Sequence, residues 1–536
     1  MQNTKEESSQ DKTLQNDIAK ADDIIVELLE KHDFFCDQYN DVFMAVDKNG
    51  AEIIEVESSN RQSTKFKQWL IGWYMKNHDG FILKSNIVEE VAYKAAALAR
   101  YQNKQPKHLH VRVHRKDDLC GNPTEIYYDL LDGKAVHIIS GDWTVTSKMP
   151  LVFRRHSHEL SQTEPAKSSG RLDDLRKVIN IKNNDDWLVT AVYTVTAFIP
   201  NQPRPVLLLT GPNGSCKTTA AKIIHRLVDP SVVEAMPLMK DTQEFMRTAS
   251  RHYLLSYDNA SHLSPEVSDN ICRAVSGSSS VRRTLYSEED TIYNVQLPII
   301  LNGIDNNLAY REDLLERCLH ISMHRVCENE RMPESQLYAD FNAMKAGVLG
   351  DIFTIIAKAM ELYPSVQLKE LPRMSDFARM GYAVAEAAGY GGDNFIRAYK
   401  RVLEKQTEMA FNSNPVAQAA VFLTSKTGHW EGTASSFLLL QFNGDYQMSE
   451  DERNTAQYLK DNAFWPRNAS ILGQRLNRAE STLKALGIEM VHSTDKKPVY
   501  KNGQRWLELT DTKWKDKQFE KFDELTEEEK IALCGF

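Results

Sequence analysis

No stretch of the 536-residue chain holds eighteen consecutive apolar residues, so a membrane-spanning helix is excluded on length. The N-terminal MQNTKEESSQDKTLQNDIAK also lacks an apolar core, so no recognisable export signal is expected. The seven cysteines, at 36, 120, 216, 272, 318, 327 and 534, form no C-x-x-C pair and no Cys/His ladder, and their number is odd. That pattern excludes a disulfide framework and a structural zinc site of ordinary spacing, and it fits a reduced, cytoplasmic compartment. Positive charge is short as well. A net charge of -9 excludes wholesale coating of a polyanion and leaves room only for a local basic face on DNA.

What the chain does have is length for several domains and a clear change of pattern along it. Residues 1–20 are polar and charge-mixed and read as a disordered tail. Residues 21–157 mix helix patterns, 65-KFKQWLIGWYMK-76 and 86-NIVEEVAYKAAALARY-101, with the alternating runs HLHVRV, EIYYDLL and AVHIIS, which predict strands of an α+β domain. Residues 158–174 have linker composition. From 175 to 325 helix and strand patterns alternate, as in a parallel α/β sheet. Residues 326–414 read as a helical lid, 415–512 as a small helical domain ending in a hairpin, and 513–536 as a tail.

The chemistry is concentrated in 206-VLLLTGPNGSCKTTAA-221. A buried strand runs into a Gly/Pro/Asn turn and then a helix, so backbone N–H groups and the helix N-terminus converge on one concavity suited to phosphate. Gly211, Pro212, Asn213, Gly214, Ser215, Cys216, Lys217, Thr218 and Thr219 form this loop; against G-x-x-x-x-G-K-[ST], only Cys216 departs, standing where glycine is usual. A residue in ordinary helical φ/ψ at 216 would still present its amide. Lys217 is expected on the β- and γ-phosphates of ATP and Thr218 on Mg²⁺. The apolar run 253-YLLSYDN-259 ends in Asp258, a second Mg²⁺ ligand through water, followed by Asn259 where a glutamate is usual. Asn259 can orient a water but cannot take its proton, so a base must lie elsewhere, and Glu244 is a candidate. Strand 297-LPIILNG-303 ends in Asn302, an amide suited to sensing the γ-phosphate. In 310-YREDLLERCLHISMHR-325, Arg317 is preferred over Arg311 as an arginine supplied to a neighbouring subunit's nucleotide.

In this order and spacing, GPNGSCKTT, YLLSYDN, SDNICRAVSGSSSVRRTLYSEED, PIILNG and REDLLER resemble the AAA+ ATPase core of replicative helicases of phages and mobile genetic elements. These relate to superfamily 3 and to the MCM-like helicases of staphylococcal cassette elements. The resemblance covers residues 170–400 well and the C-terminal region loosely. It implies an α/β AAA+ (P-loop) core between an α+β N-terminal domain and a C-terminal winged-helix-like domain. It also implies a homo-hexameric ring on single-stranded DNA, cytoplasmic in a bacterial host, with replication proteins as further partners and no membrane. The N-terminal part resembles segments that in relatives follow a primase; lacking a convincing acidic metal triad, it is expected to have no primase activity.

For DNA the same resemblance makes 281-VRRTLYSEEDTIYNVQL-297 a pore hairpin, with Arg282 and Arg283 on phosphate and Tyr286 on a base. Arg373, ahead of Arg379, takes the place of a second phosphate-sensing arginine. In the C-terminal region Pro466 and Gly487 bracket a helix whose Leu472, Leu476, Leu483 and Leu486 form an apolar stripe. Arg475 and Arg478 on its other face, with Lys496 and Lys497 in the following hairpin, are candidate contacts to DNA. The reading reached is an ATP-dependent replicative helicase. A DNA-dependent ATPase that loads or remodels partners, and an ATP-switched origin-binding initiator, remain open beside it.

Overall fold

The computed structural model describes residues 21–514 except 47–51, 59–60, 103–105, 150–152, 168–169, 261–262, 284–289, 304–311, 445, 463, 493–499 and 502–503. The expected tail at 1–20 lies outside the described residues, as does all but the start of the one at 513–536. The chain divides into two units, one of 1–260, 269–304 and 321–399, the other of 261–268, 305–320 and 400–536. No described helix is long and apolar enough to cross a membrane.

The first unit opens with helix α1 (21–31) and an antiparallel meander of β1 (Asp33–Cys36), β2 (Val42–Ala45), β3 (Ile53–Ser58) and β4 (Arg61–Gln62). Helices α2 (Thr64–Asn77) and α3 (Ser85–Gln102) cover it. On α3 the buried residues Ile87, Val88, Val91, Ala92, Ala95, Ala96 and Ala99 recur every three or four positions, which turns one stripe into the core. A second meander follows in the order β5 (Val113–Asp117), β6 (Pro123–Asp129), β7 (Ala135–Ile139) and β8 (Asp142–Thr146).

The strand expected over HLHVRV is not there as such; His110 makes an isolated bridge to Phe153, and the β5–β6 ladder begins only at Val113. Arg112 interrupts it by turning to φ 60, in the left-handed region. Its guanidinium is fully buried, donating to Asp229 Oδ1 at 3.0 Å and to the carbonyls of Asp129, Leu160 and Pro230. Such a buried charge stays only where every donor finds an acceptor.

Residues 158–167 are not a spacer either. Gln162 is buried and donates to Tyr128 Oη and to the Leu227 carbonyl, and Ala166 N–H donates to Ala346 O. A Cβ on Gly350 would stand 2.0 Å from Ala166 O, so the glycine lets this segment cross the helix closely. The polarity read as a linker is the hydrogen-bonding inventory of a packed segment.

Helix α4 (Asn184–Thr196) leads to β9 (Val206–Thr210), α5 (Lys217–Val228), α6 (Thr242–Ala249) and β10 (Leu255–Tyr257). Then come α7 (Pro265–Ser276), the hairpin β11 (Ser278–Arg283) and β12 (Asp290–Val295), β13 (Ile299–Gly303), α8 (Glu312–Leu315) and β14 (Cys318–Ser322). One sheet has the order β10-β13-β9-β14, with β10, β13 and β9 mutually parallel. Every residue of β9, β10 and β13 is buried, the burial expected of parallel strands covered on both faces. Strand β10 is shorter than 253-YLLSYDN-259 suggests, because the Tyr253 and Leu254 N–H groups donate to the Asp229 carboxylate. Helix α4, capped by Asn183, is tied to β13 by Tyr193 Oη on Ile299 O. Helices α9 (Glu334–Leu362), α10 (Ser375–Ala387) and α11 (Gly392–Ser413) follow.

In the second unit, α12 (Pro415–Thr424), β15 (His429–Gly432), α13 (Ala434–Leu438), α14 (Glu450–Asp461) and α15 (Ala469–Ala485) precede β16 (Ile488–His492), the short pair β17 (Tyr500–Lys501) and β18 (Gln504–Arg505), and β19 (Leu507–Asp511). Its sheet runs β15-β19-β16, antiparallel throughout, over a core containing Trp430, Phe437, Leu472, Leu476 and Leu483. Asn468 caps α15 and Gly487 follows it at φ 87, the start and stop marked in the sequence.

Candidate functional site

The loop between β9 and α5 is shaped by its backbone. Gly211 stands at φ 148, where a Cβ would meet Met323 O at 2.2 Å, so only glycine fits. Gly214 is left-handed too, at φ 79. Cys216 corrects the expectation of ordinary helical geometry: it caps α5 at φ 63, ψ 30, the left-handed conformation a glycine would take without penalty. For an L-residue that costs about 1–2 kcal/mol. The loop therefore keeps a glycine's path with a cysteine in it.

Lys217 is 9% exposed and its Nζ donates to Gly211 O at 2.8 Å, Pro212 O at 3.0 Å and Ser215 Oγ at 3.3 Å. Burial pushes its ammonium below the usual lysine value, against the opposing pull of Asp258 and Cys216. Held on loop carbonyls, the ammonium can exchange those acceptors for phosphate oxygens. Thr218 Oγ1 donates to Asp258 Oδ1 at 2.9 Å, so the two residues singled out as Mg²⁺ ligands meet across the first turn of α5 and the end of β10. A hydroxyl and a carboxylate side by side are the donor set that a hydrated Mg²⁺ takes.

Asn259 is exposed and left-handed at φ 51; its N–H donates to Asn302 Oδ1 and to Asp258 Oδ1, both at 3.0 Å. Asn302 is 1% exposed, and its Nδ2 has no hydrogen-bond partner among the described residues. A buried amide donor without an acceptor costs about 1–3 kcal/mol, and an incoming anion oxygen or water would supply one. Lys217, Thr218, Asp258, Asn259 and Asn302 are thus brought together.

The other expected residues stand on other elements. Glu244 is exposed in the first turn of α6, behind the Asp241 cap. Arg317 lies in the second unit just past α8, its guanidinium on Asp313 O. Arg373 is exposed just before α10, whereas Arg379 lies over the Tyr363 ring at 4.8 Å. Arg311 lies outside the described residues. Sequence reasoning missed Asn180, whose Nδ2 donates to Ser215 O at 3.1 Å and His324 O at 2.8 Å. No motif marks it, since it reaches the loop from before α4.

For DNA, the expected hairpin exists as β11 and β12, with Arg282 opposite Thr291 and Arg283 opposite Asp290. Its tip, with Tyr286, lies outside the described residues, as do Lys496 and Lys497. On α15, Arg478 is exposed and Arg475 half-buried, its ionisation pushed down by burial and then by Arg478.

Residues 172–408 match the family described as the actinomycete integrative conjugative element replication protein, and residues 416–521 match the RepA C-terminal domain of the same elements. The chain carries the replication-protein domains of actinomycete integrative conjugative elements. The RepA match thus makes it a mobile-element replication protein, as its motifs suggested. Its first domain contains the whole β9–α5 loop, Asp258 and Asn302; its second contains α15. Comparison with curated proteins gives no match. Among solved structures, an A-form apo structure of the NrS-1 C-terminal region aligns at TM-score 0.39 and 9% identity over 90% of this chain and 98% of that one. An apo structure of NrS-1 residues 305–718 gives 0.39 and 10% over 91% and 97%. These scores are too low to fix the fold.

Proposed function

We propose that this replication protein is an ATP-dependent DNA helicase, working as a ring of copies, six as in the families its motifs resemble, and moving on single-stranded DNA. The observation that carries the reading is the meeting of Thr218 Oγ1 and Asp258 Oδ1 at 2.9 Å beside the loop-held Lys217. The parallel order β10-β13-β9, with Asp258 and Asn302 at neighbouring strand ends, supports an AAA+ core.

In this reading the loop amides and Lys217 hold the β- and γ-phosphates of ATP, and Thr218 and Asp258 hold Mg²⁺. The metal, when bound, neutralises charge that develops between those phosphates. Asn302 directs its unpaired Nδ2 to the γ-phosphate or to the attacking water, and Arg317 serves the neighbouring copy's site. Arg373 approaches the nucleotide from the helical lid. Arg282, Arg283 and Tyr286 grip the strand inside the ring. The second unit's helices and antiparallel sheet act as a winged-helix-like module, with Arg475, Arg478, Lys496 and Lys497 on duplex DNA.

One feature favours a second reading. No carboxylate follows Asp258, and Glu244 is not drawn to it, so ATP could serve as an assembly switch on an origin-binding initiator, or drive partner loading without unwinding. A forked duplex with one labelled strand separates the readings. Unwinding that needs ATP and is abolished by Lys217→Ala supports the helicase; ATP-dependent assembly on the fork with no strand released sinks it.

A further inference from the structure

A short stretch after β14 is strapped across the phosphate-type loop. Met323 N–H donates to Thr210 O at 2.8 Å, and Val326 N–H donates to Gly214 O at 3.1 Å. The Asn180 amide clamps the two segments by donating to Ser215 O and His324 O at once. Arg325 sits in this strap, exposed, with its Cγ and Nε 3.8 and 3.9 Å from the place where a Gly214 Cβ would stand. Among the described residues it makes no hydrogen bond or ion pair, in contrast to Arg112, Arg154, Arg155 and Arg226, whose guanidinia are all paired with carboxylates.

We propose that Arg325 is a second cation of the nucleotide site, supplied by the same chain and contacting the phosphate groups of the bound nucleotide; this rests on the reading of the β9–α5 loop as a nucleotide site. The physical case has three parts. An unpaired guanidinium beside a loop whose amides already favour anions meets its best acceptor in phosphate, which it can grip through two N–H groups. The strap fixes the Arg325 backbone, so binding has to order only the side chain. Glycine at 214 removes the Cβ that would otherwise stand between the arginine stem and the loop. None of the motifs that identify the loop includes this residue.

The test is equilibrium binding of ATP, ADP and adenosine to the full chain, as wild type and as Arg325→Ala, Arg325→Lys and Lys217→Ala. The expected result is that Arg325→Ala weakens ATP and ADP by about tenfold, the size of one hydrogen bond to a charged group. Adenosine binding should stay unchanged and Arg325→Lys should fall between. Circular dichroism and melting temperature should match wild type, since the side chain is exposed. If Arg325→Ala binds ATP like wild type while Lys217→Ala loses it, the nucleotide site stands and the assignment of Arg325 is wrong. Equal loss of adenosine would also overturn it, by moving the contact off the phosphates. If wild type binds no nucleotide, the reading of the loop fails and this assignment fails with it.

Discussion

Cys216 shows how one residue can depart from a motif and leave its geometry intact. Its left-handed φ of 63 is what the missing glycine would supply, and the chain stores the strain instead of changing the loop. Replacing it with glycine removes that strain but also loosens the unfolded chain, so the two effects partly offset. We expect Cys216→Gly to raise the melting temperature slightly, by an amount reflecting ~0.5–1 kcal/mol, and to leave nucleotide binding intact. A lower melting temperature, or lost binding, would mean that the thiol itself has a role in the loop. Lys217, Thr218, Asp258 and Asn302 could all be read from the sequence because each ends or begins an apolar strand or a helix at a set spacing. Asn180 and Arg325 could not, since they arrive from segments far away in sequence and only the folded backbone puts them on the loop.

At the scale of elements, amphipathic helices such as α2, α3 and α15 were legible within a residue or two because their apolar spacing persists over several turns. The strands β1 to β3 were missed, being four to six residues long with no strict alternation. Composition misled at 158–167, where Gln162 and Glu159 are polar because they are buried against polar partners. His158 opens this packed segment and His156 stands just before it, and the His158 ring stacks on His252 at 3.9 Å. Burial pushes His156 down to about 3 and His252 to about 4, and lowers His158 as well. His156 and His252 stay neutral in the fold well below 6.5, where the unfolded chain takes up protons, and His158 leans the same way, so acid favours unfolding. Glu159, pushed up to about 7 by burial, acts the other way, holding its proton in the fold while ionised in the unfolded chain above 4.5. Elsewhere in the same unit His110, at about 3, and Asp37, at about 6, work against each other in the same manner. The histidines near 252 outnumber their opposing carboxyl, so the melting temperature of this unit should fall from pH 6.5 to pH 5, each group adding about 1.4 kcal/mol per pH unit. A melting temperature that is flat or rises over that range would show that the buried rings do not control the fold's acid response.

At the scale of the whole molecule, the first unit's strands β10, β13 and β9 are parallel and bring the loop, Asp258 and Asn302 to one end, and the second unit carries α15 with Arg475 and Arg478. Its family match places it in the replication of mobile elements, and the proposed helicase role requires that the site turn over ATP. With a net charge of -9, the proposed DNA contact has to be made at local basic positions, so any DNA response should weaken with salt. The most direct measurement is ATP hydrolysis by the full chain with and without single-stranded DNA, using Lys217→Ala as the blank. The account predicts a rate that Lys217→Ala abolishes and that single-stranded DNA raises. ATP bound without turnover, or a rate indifferent to both DNA and Lys217, would contradict it.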